Sequence, residues 1–312
     1  MTINERELIR CVCEGNILKA QTQASVLLKN VHTKKDEAFT KSMLEKLAKK
    51  PPKLIELPYN LQDVLVVKSP ELFPINRFLK RDGEEKVTEK ILNAYSAAEK
   101  LEKINMSYVP SLLLYGVPGT GKTMLAQYIA YKANLPFIHI RFSALLNSLL
   151  GGTQSKLAKI FEYARSTPCV LCIDEIDAIG MKRGRKDDVG EMSRIVISLM
   201  QELDSLPNNV IVIGTTNRID CLDAALLRRF SVSRKIELLE ASEASTLAQK
   251  IFDSVGIDSS KWFTDWNAEN ITSRGLYFSP ADIDRHCKEC IVELICSGKW
   301  KPTSAEDEEE NT

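Results

Sequence analysis

The fold of this chain is decided by the stretch Gly116-Val117-Pro118-Gly119-Thr120-Gly121-Lys122-Thr123. Its spacing, G-x-x-x-x-G-K-T, is typical of a loop whose backbone N–H groups surround phosphate oxygens. The apolar run at 111–115 predicts a buried parallel strand before the loop, and the pattern at 124–130 predicts a helix after it. The positive end of such a helix favours a bound phosphate. The sequence therefore predicts a phosphate-binding loop, the Walker A motif, between a strand and a helix.

Two side chains of this loop carry specific expectations. The Lys122 ammonium can reach the β- and γ-phosphates of ATP, and the Thr123 hydroxyl is a suitable ligand for Mg²⁺. The residues of the loop that we predict to bind the nucleotide are Gly116, Pro118, Gly119, Thr120, Gly121, Lys122 and Thr123.

A second motif follows at residues 170–177, Val-Leu-Cys-Ile-Asp-Glu-Ile-Asp. An apolar strand there ends in two adjacent carboxylates, at the edge where doubly wound sheets bind ligands. Asp174 fits the Walker B partner of Mg²⁺, with Thr123 as the other protein ligand. Glu175 is placed to act as the general base for a water that attacks the γ-phosphate. Following a Walker A loop, this pair predicts nucleotide hydrolysis.

Two further polar segments follow a third apolar strand, predicted at 210–214. Asn217 is a candidate to hold the attacking water or to contact the γ-phosphate, although turns also favour asparagine. Arg228 and Arg229 are either surface charges or arginine fingers supplied to a neighbouring subunit. Fingers contribute about 10³–10⁵ in rate in other phosphate-transferring enzymes, and a finger acting in trans requires an oligomer.

Strand and helix patterns alternate around these motifs, which predicts an α/β fold with a doubly wound parallel sheet covered on both faces. Strands are predicted at 111–115, 136–142, 170–174, 210–214 and 235–239, and helices at 85–104, 124–130, 157–165, 191–203, 223–228, 242–255 and 281–297. The domain boundaries expected from these patterns are an N-terminal helical region at 1–52, an α/β ATPase domain at 53–239, a helical lid at 240–300 and a disordered acidic tail at 301–312. The N-terminal helices are either a plain cap or a docking module.

Composition restricts the function classes. Lys plus Arg and Asp plus Glu both number 42, and the pI is about 6.8, so bulk charge disfavours nucleic acid as a partner. The sequence has no signal peptide pattern and no apolar run of membrane-spanning length, and we expect a cytoplasmic protein.

A zinc site is one interpretation of the neighbouring residues His286, Cys287 and Cys290. We favour the alternative that these cysteines are buried, reduced thiols, because the sequence has no second pair of ligands that would complete a structural zinc site.

The order of these motifs over residues 61–300 resembles that of the AAA ATPases, within the broader AAA+ group. The paired Arg228-Arg229 is similar to the arrangement in spastin and katanin. The chain also resembles stand-alone bacterial AAA ATPases, some of which are encoded beside a subtilisin-like protease or within antiviral, phage-defence gene clusters. The resemblance implies ATP and Mg²⁺ as cofactors, a homo-hexameric ring and a protein substrate.

Two segments depart from the family pattern. Pore loop 1 of the family carries an aromatic residue before a glycine, and the matching residues here are Leu149, Leu150 and Gly151, with Leu149 at the aromatic position. The segment at 278–283 resembles the sensor 2 helix, with Pro280 in place of glycine. Ala281 occupies the position where other AAA+ branches have an arginine, and the resemblance makes it a candidate for binding the nucleotide. Residues 183–188 match the position of pore loop 2 or form a solvated charged loop.

These observations favour a ring-forming ATPase that couples hydrolysis of Mg-ATP to remodelling or unfolding of a protein partner. The absence of the aromatic at Leu149 keeps a second interpretation open, a nucleotide-gated switch or scaffold that regulates a partner protease or phage-defence effector. A DNA-acting AAA+ protein is a third interpretation, which the neutral charge disfavours.

Overall fold

The computed structural model describes residues 61–102, 104–142, 145, 153–179, 186–257 and 279–298, together with residues 6, 24, 27, 57 and 58. The chain divides into two units, Met1–Tyr59 and Asn60–Thr312, and every element named below belongs to the second. Several predictions lie outside the described residues: the pore residues Leu149, Leu150 and Gly151, the acidic tail, and nearly all of the N-terminal helical region.

A six-stranded sheet forms the centre of the second unit, with strand order β1-β3-β4-β5-β2-β6. The strands are β1 (Leu65–Lys68), β2 (Ser111–Tyr115), β3 (Phe137–Arg141), β4 (Cys169–Asp174), β5 (Val210–Thr216) and β6 (Val232–Lys235). Strands β2 to β6 are parallel, and β1 pairs antiparallel with β3. The predicted α/β class with a Walker A loop is confirmed, and the sheet is mostly rather than wholly parallel.

Helices follow the strands as the alternating pattern predicts. They are α1 (Asp82–Glu102), α2 (Lys122–Ala133), α3 (Thr153–Arg165), α4 (Lys186–Asp204), α5 (Ala224–Leu227), α6 (Ala241–Asp253) and α7 (Pro280–Cys296). Within the described residues, no helix has both the length and the apolar content needed to cross a bilayer.

The last strand lies earlier than the sequence indicates. A strand was expected at 235–239, but β6 is Val232–Lys235 and pairs with β2 from Leu112↔Val232 to Tyr115↔Lys235. Edge strands carry exposed polar side chains, so β6 lacks the apolar signal of the central strands. The apolar residues that suggested the later strand have other roles. Ile236 is buried against the sheet and Leu239 is buried beyond it, among the C-terminal helices.

Two apolar cores position the functional site. The first, here called the sheet core, is buried against the strands and includes Phe78, Leu114, Tyr128, Ile213 and Ile236. The second, here called the helix-pair core, lies between α6 and α7 and includes Leu239, Leu247, Ile251, Ile283 and Leu294. A helical lid at 240–300 needs an apolar core of its own, and the helix-pair core is of this kind. The exact boundaries of the domains stay a prediction.

The start of α7 is fixed locally by its sequence. The Ser279 hydroxyl accepts a hydrogen bond from the Asp282 N–H at 3.1 Å, which caps the helix. Pro280 occupies the first turn, where its missing N–H costs nothing. These two residues hold the N-terminus of α7 where it meets the Walker A loop.

Candidate nucleotide site

The Walker A loop runs from the end of β2 into α2, and its glycines are required by close contacts. Gly116 has a φ of 150°, and a Cβ there would lie 2.3 Å from the backbone oxygen of Ile236. Gly119 has a φ of 80°, and a Cβ there would lie 3.3 Å from the Ala281 Cβ at the start of α7. Any larger residue would therefore push the loop away from both neighbours.

Lys122 is buried against this loop, with 8% of its surface exposed. Its Nζ donates hydrogen bonds to the backbone oxygens of Gly116 and Val117, each at 2.9 Å. Burial lowers the pKa of Lys122, and the nearby carboxylates of Asp174 and Asp177 act in the opposite direction. The ammonium is thus held over the loop by carbonyl oxygens, the kind of contact that phosphate oxygens can replace.

Asp174 ends β4 and makes the densest set of contacts in the site. The Thr123 hydroxyl donates to Asp174 Oδ2 at 3.1 Å, and His139 Nε2 lies 2.8 Å from the same oxygen. The Thr215 hydroxyl donates to the other oxygen, Oδ1. Burial alone raises the pKa of Asp174, but the hydrogen bonds from His139, Thr215 and Thr123 outweigh it and hold the pKa below its ordinary value.

The oxygens of Thr123 and Asp174 fit Mg²⁺ by chemistry and by spacing. Both are hard donors of the kind that Mg²⁺ takes together with substrate phosphates. Octahedral ligands at 2.0–2.1 Å from the metal stand about 3 Å from their neighbours, and these two oxygens are 3.1 Å apart. The structure therefore brings together Thr123 and Asp174, the two predicted ligands of Mg²⁺. That they bind the metal stays a prediction.

Glu175 follows Asp174 in an unusual backbone conformation, with a φ of 55°. Residues other than glycine adopt this left-handed region at a cost, which is often accepted at functional sites. The Glu175 N–H donates to the Thr215 hydroxyl at 3.3 Å, so β5 supports the turn. Glu175 and Asn217, from the ends of neighbouring strands, both line the same cavity.

That cavity has a volume of about 580 Å³, within the usual range for small-molecule sites. The polar part of its lining comes from the Walker A loop and the ends of β4 and β5. Its lining also includes apolar residues from or beside both cores, namely Phe78, Leu79, Leu239, Leu247 and Ile251, and the charged residues Arg77, Arg81, Glu84, Asp284 and Lys288. Ala281 also lines it, and the Ala281 N–H donates to the Gly119 oxygen at 3.2 Å. The cavity thus combines the Walker A loop with apolar side chains from both cores.

The two arginines lie elsewhere. Arg229 donates two hydrogen bonds to the Asp204 carboxylate from one edge of its guanidinium group, Nε to Oδ1 at 3.2 Å and Nη2 to Oδ2 at 3.0 Å. Its Nη1 also donates to the Ala225 oxygen at 3.0 Å. Arg228 follows α5 and is exposed. Among the described residues that line the cavity, neither arginine is present. A role in catalysis therefore requires a neighbouring subunit, and this role stays a prediction.

The cysteines that suggested a zinc alternative are arranged on α7. Cys287 is buried, and burial raises the pKa of its thiol to about 12. Cys290 Sγ lies 3.8 Å from His286 Nε2, and Cys296 is exposed. The portion of the chain that the structure describes contains no group of three or more His, Cys, Asp or Glu side chains arranged to hold a metal.

Sequence reasoning missed two residues of the site, His139 and Thr215. His139 is the middle residue of β3, Phe-Ile-His-Ile-Arg, and Thr215 lies near the end of β5, Val-Ile-Val-Ile-Gly-Thr-Thr, so each is a polar residue in a strand that is mostly apolar. A polar side chain in such a strand signals a site only when the neighbouring strands are known. The strand order supplies this, because β3 and β5 flank β4 on either side.

Comparison with known proteins agrees with this geometry. Residues 112–238 match the model of the ATPase family associated with various cellular activities (AAA). The peroxisomal ATPase pex6 of Schizosaccharomyces pombe is 47% identical over 146 residues, which are 44% of this chain and 15% of that protein. A proteasome-activating nucleotidase of Saccharolobus islandicus is 37% identical over 214 residues, 66% of this chain and 53% of that protein.

The ATP-dependent zinc metalloprotease FtsH of Parabacteroides distasonis is 33% identical over 219 residues, 68% of this chain. The match spans 31% of that protein, so the chain covers about half or less of the length of these relatives. Together with the Walker A loop and the sheet order, the family match at residues 112–238 shows that the chain contains an ATPase domain of the AAA family.

Proposed function

We propose that this chain binds Mg-ATP in the cavity between its two cores and uses hydrolysis to remodel or unfold a protein partner. The observation that carries the proposal is the contact between Thr123 and Asp174, because it joins the Walker A loop to the end of β4 at the spacing of two Mg²⁺ ligands. Mg²⁺, when bound, neutralises charge on the β- and γ-phosphates.

Each polar residue of the site has a distinct role in this proposal. Lys122 binds the β- and γ-phosphates, and the loop glycines allow the backbone N–H groups to approach them. Glu175 accepts a proton from the attacking water, and Asn217 orients that water. Arg228 or Arg229 of a neighbouring subunit stabilises the charge that develops on the transferred phosphoryl group.

A protein partner and a ring are the finer part of the proposal. Two relatives support a protein substrate by name, a proteasome-activating nucleotidase and an ATP-dependent protease. The position of the arginines outside their own subunit's cavity is compatible with a ring in which they serve a neighbouring subunit, and a hexamer is what the family resemblance implies. We also propose that the chain acts without a membrane and without nucleic acid, in keeping with its balanced charge.

Two substitutions test nucleotide chemistry. Lys122→Ala should abolish ATP binding, because the phosphates lose their cationic partner. Glu175→Gln should keep binding and lose turnover, because the amide preserves shape but cannot accept the proton. Nucleotide affinity and steady-state hydrolysis are measured for both variants. Lys159→Ala and Glu162→Gln make the same changes at exposed positions on α3 and serve as matched controls. Normal turnover by Glu175→Gln would contradict the assigned base.

A separate measurement tests remodelling. A tagged model protein is incubated with the ATPase, and its unfolding is followed by loss of fluorescence. Leu149→Asp should stop unfolding while ATP hydrolysis continues, because a ring of like charges replaces apolar contacts in the pore, whereas Leu149→Tyr should preserve unfolding. Unfolding by Leu149→Asp at the parental rate would exclude threading through the pore and favour the switch interpretation.

A further inference from the structure

The Asp174 carboxylate is braced from both neighbouring strands, by His139 on β3 and by Thr215 on β5. We infer that His139 and Thr215 are positioning residues that hold Asp174 ready for Mg²⁺ and couple it to the backbone of Glu175. This inference rests on the proposed Mg-ATP site and deepens it, since it assigns control of the metal to two residues outside the Walker A and Walker B motifs.

Sheet register places the three side chains on one face of the sheet. In the β3–β4 pairing, His139 lies opposite Cys172, two residues before Asp174 and therefore on the same face. In the β4–β5 pairing, Ile173 lies opposite Gly214, so that Asp174 and Thr215 are the next residues along. The brace is consequently built into the sheet and does not depend on a mobile loop.

Hydrogen bonding accounts for both carboxylate oxygens. An ionised carboxylate only accepts hydrogen bonds, so His139 Nε2 must donate to Oδ2 at 2.8 Å. Thr215 has one hydroxyl proton, which it donates to Oδ1, and its oxygen accepts the Glu175 N–H at 3.3 Å. Thr215 thereby contacts both the predicted metal ligand and the residue that carries the predicted general base.

Burial makes these contacts effective. Thr215 is 1% exposed, and the side chains of His139 and Asp174 are 16% and 22% exposed. In such an environment hydrogen bonds to a charged group are stronger than in water and fix its rotamer. Without the brace, metal binding must itself order the Asp174 side chain. Outer partners of this kind change metal affinity or activity by about 10- to 100-fold when they are removed.

The test compares nucleotide binding with and without Mg²⁺. A fluorescent ATP analogue is titrated into the protein in EDTA and at increasing Mg²⁺ concentrations. His139→Ala and Thr215→Val should bind the analogue as the parent does in EDTA, and should need about 10- to 100-fold more Mg²⁺ to reach half of the metal-dependent gain in affinity. The conservative variants His139→Gln and Thr215→Ser keep a donor and should restore most of the parental response.

Thr88→Val serves as a matched control, because it removes a buried threonine hydroxyl that bonds the Glu84 oxygen at 2.8 Å, away from Asp174. Thermal unfolding reports whether each variant folds. If His139→Ala fails to fold, the positioning role is judged by comparing the Mg²⁺ response of Thr215→Val with that of Thr215→Ser.

A parent that binds no nucleotide contradicts the proposed function itself. A parent that responds to Mg²⁺, with folded His139→Ala and Thr215→Val variants that respond at the same concentrations, overturns the positioning role alone. Equal weakening of binding in EDTA and in Mg²⁺ also overturns it, because that pattern reports a general structural defect.

Discussion

Glu175 combines a predicted catalytic role with a backbone conformation that its side chain disfavours. Its φ of 55° lies in the left-handed region, where an L-residue pays about 1–2 kcal/mol relative to the right-handed helix and glycine pays almost none. The Thr215 hydroxyl, which accepts the Glu175 N–H, helps to hold this conformation. The strain is thus localised at the junction between β4 and the predicted catalytic carboxylate.

This strain predicts an order of stability among substitutions. The free energy of unfolding of Glu175→Gly should exceed that of Glu175→Ala by about 1 kcal/mol, because only glycine adopts the left-handed backbone conformation without strain. Glu175→Gly should therefore unfold at a higher concentration of denaturant. Both variants lack the carboxylate, so the comparison isolates the backbone. Urea unfolding of the nucleotide-free protein provides the measurement. A Glu175→Ala variant as stable as Glu175→Gly would show that this turn is unstrained.

The cysteines allow a second prediction at the same scale. Burial raises the pKa of Cys169 and Cys287 to about 12, whereas Cys296 is exposed. Because the thiolate is the reactive form, Cys169 and Cys287 should react with iodoacetamide at pH 8 at least about 100-fold more slowly than Cys296. Peptide mass spectrometry after timed labelling of the native protein measures this. Denatured protein, in which all of these thiols become equivalent, is the control, and equal native rates would contradict the burial.

Elements differ in how well the sequence predicts them, for physical reasons. Strands β2, β4 and β5 are buried on both faces, so each is a continuous apolar run that the sequence reveals. The edge strands β1 and β6 are short and partly exposed, and the sequence either missed or misplaced them. Helix α7 was predicted within one residue, because Ser279 and Pro280 mark its start.

The candidate site shows the same division. The Walker A loop, Asp174, Glu175, Asn217 and Ala281 were predicted from motifs, and the structure gathers them around one cavity. His139 and Thr215 depend on strand order and register, which no local pattern contains. Sequence therefore identifies groups that face the ligand more readily than the groups that hold them in place.

Arg81 links elements that are distant in sequence. Its guanidinium group donates to Glu84 on α1 at 3.0 Å and to Glu243 on α6 at 3.2 Å. It also donates to the backbone oxygens of Glu237 and Leu238, in the segment between β6 and α6. Glu243 in turn closes the capping box that starts α6. Arg81 therefore joins the segment before α1 to the start of the helix pair.

Loss of this clamp should loosen the start of α6. Arg81→Ala should lower the free energy of unfolding by about 2 kcal/mol, because it leaves a largely buried Glu84 without the cation that forms a hydrogen bond with it. Arg81→Lys should not restore it, since one ammonium cannot satisfy acceptors on all sides. Urea unfolding and amide hydrogen exchange in α6 measure the effect, and Arg77→Ala, which loses one bond to Ser254, is the control. Unchanged exchange in α6 would contradict the clamp.

At the scale of the whole molecule, the cavity is bounded by the two cores rather than enclosed by one. Phe78 belongs to the sheet core, and Leu247 and Ile251 belong to the helix-pair core, yet all three line the cavity. The bond between Ala281 and Gly119 also joins the helix pair to the Walker A loop. A nucleotide in this cavity would contact both cores, so its binding and loss can change how they pack.

The position of the two arginines extends this argument to the assembly. Arg229 is held by Asp204 through two hydrogen bonds, and Arg228 beside it is exposed. If the chain assembles as proposed, this geometry favours the exposed Arg228 over Arg229 as the residue that reaches a neighbouring subunit. Specific ATPase activity should then rise with protein concentration until assembly is complete.

Mixing experiments test whether the arginine acts in trans. Arg228→Ala should bind ATP as the parent does and lose most hydrolysis, about 10³-fold or more by comparison with other arginine fingers. Mixed with Glu175→Gln subunits, it should regain part of the activity, because some interfaces then pair an intact arginine with an intact base. Arg194→Ala, which replaces an exposed arginine on α4, is the control and should hydrolyse ATP alone. Activity that is independent of concentration, from a protein shown to be monomeric by sedimentation, would contradict catalysis across a subunit interface.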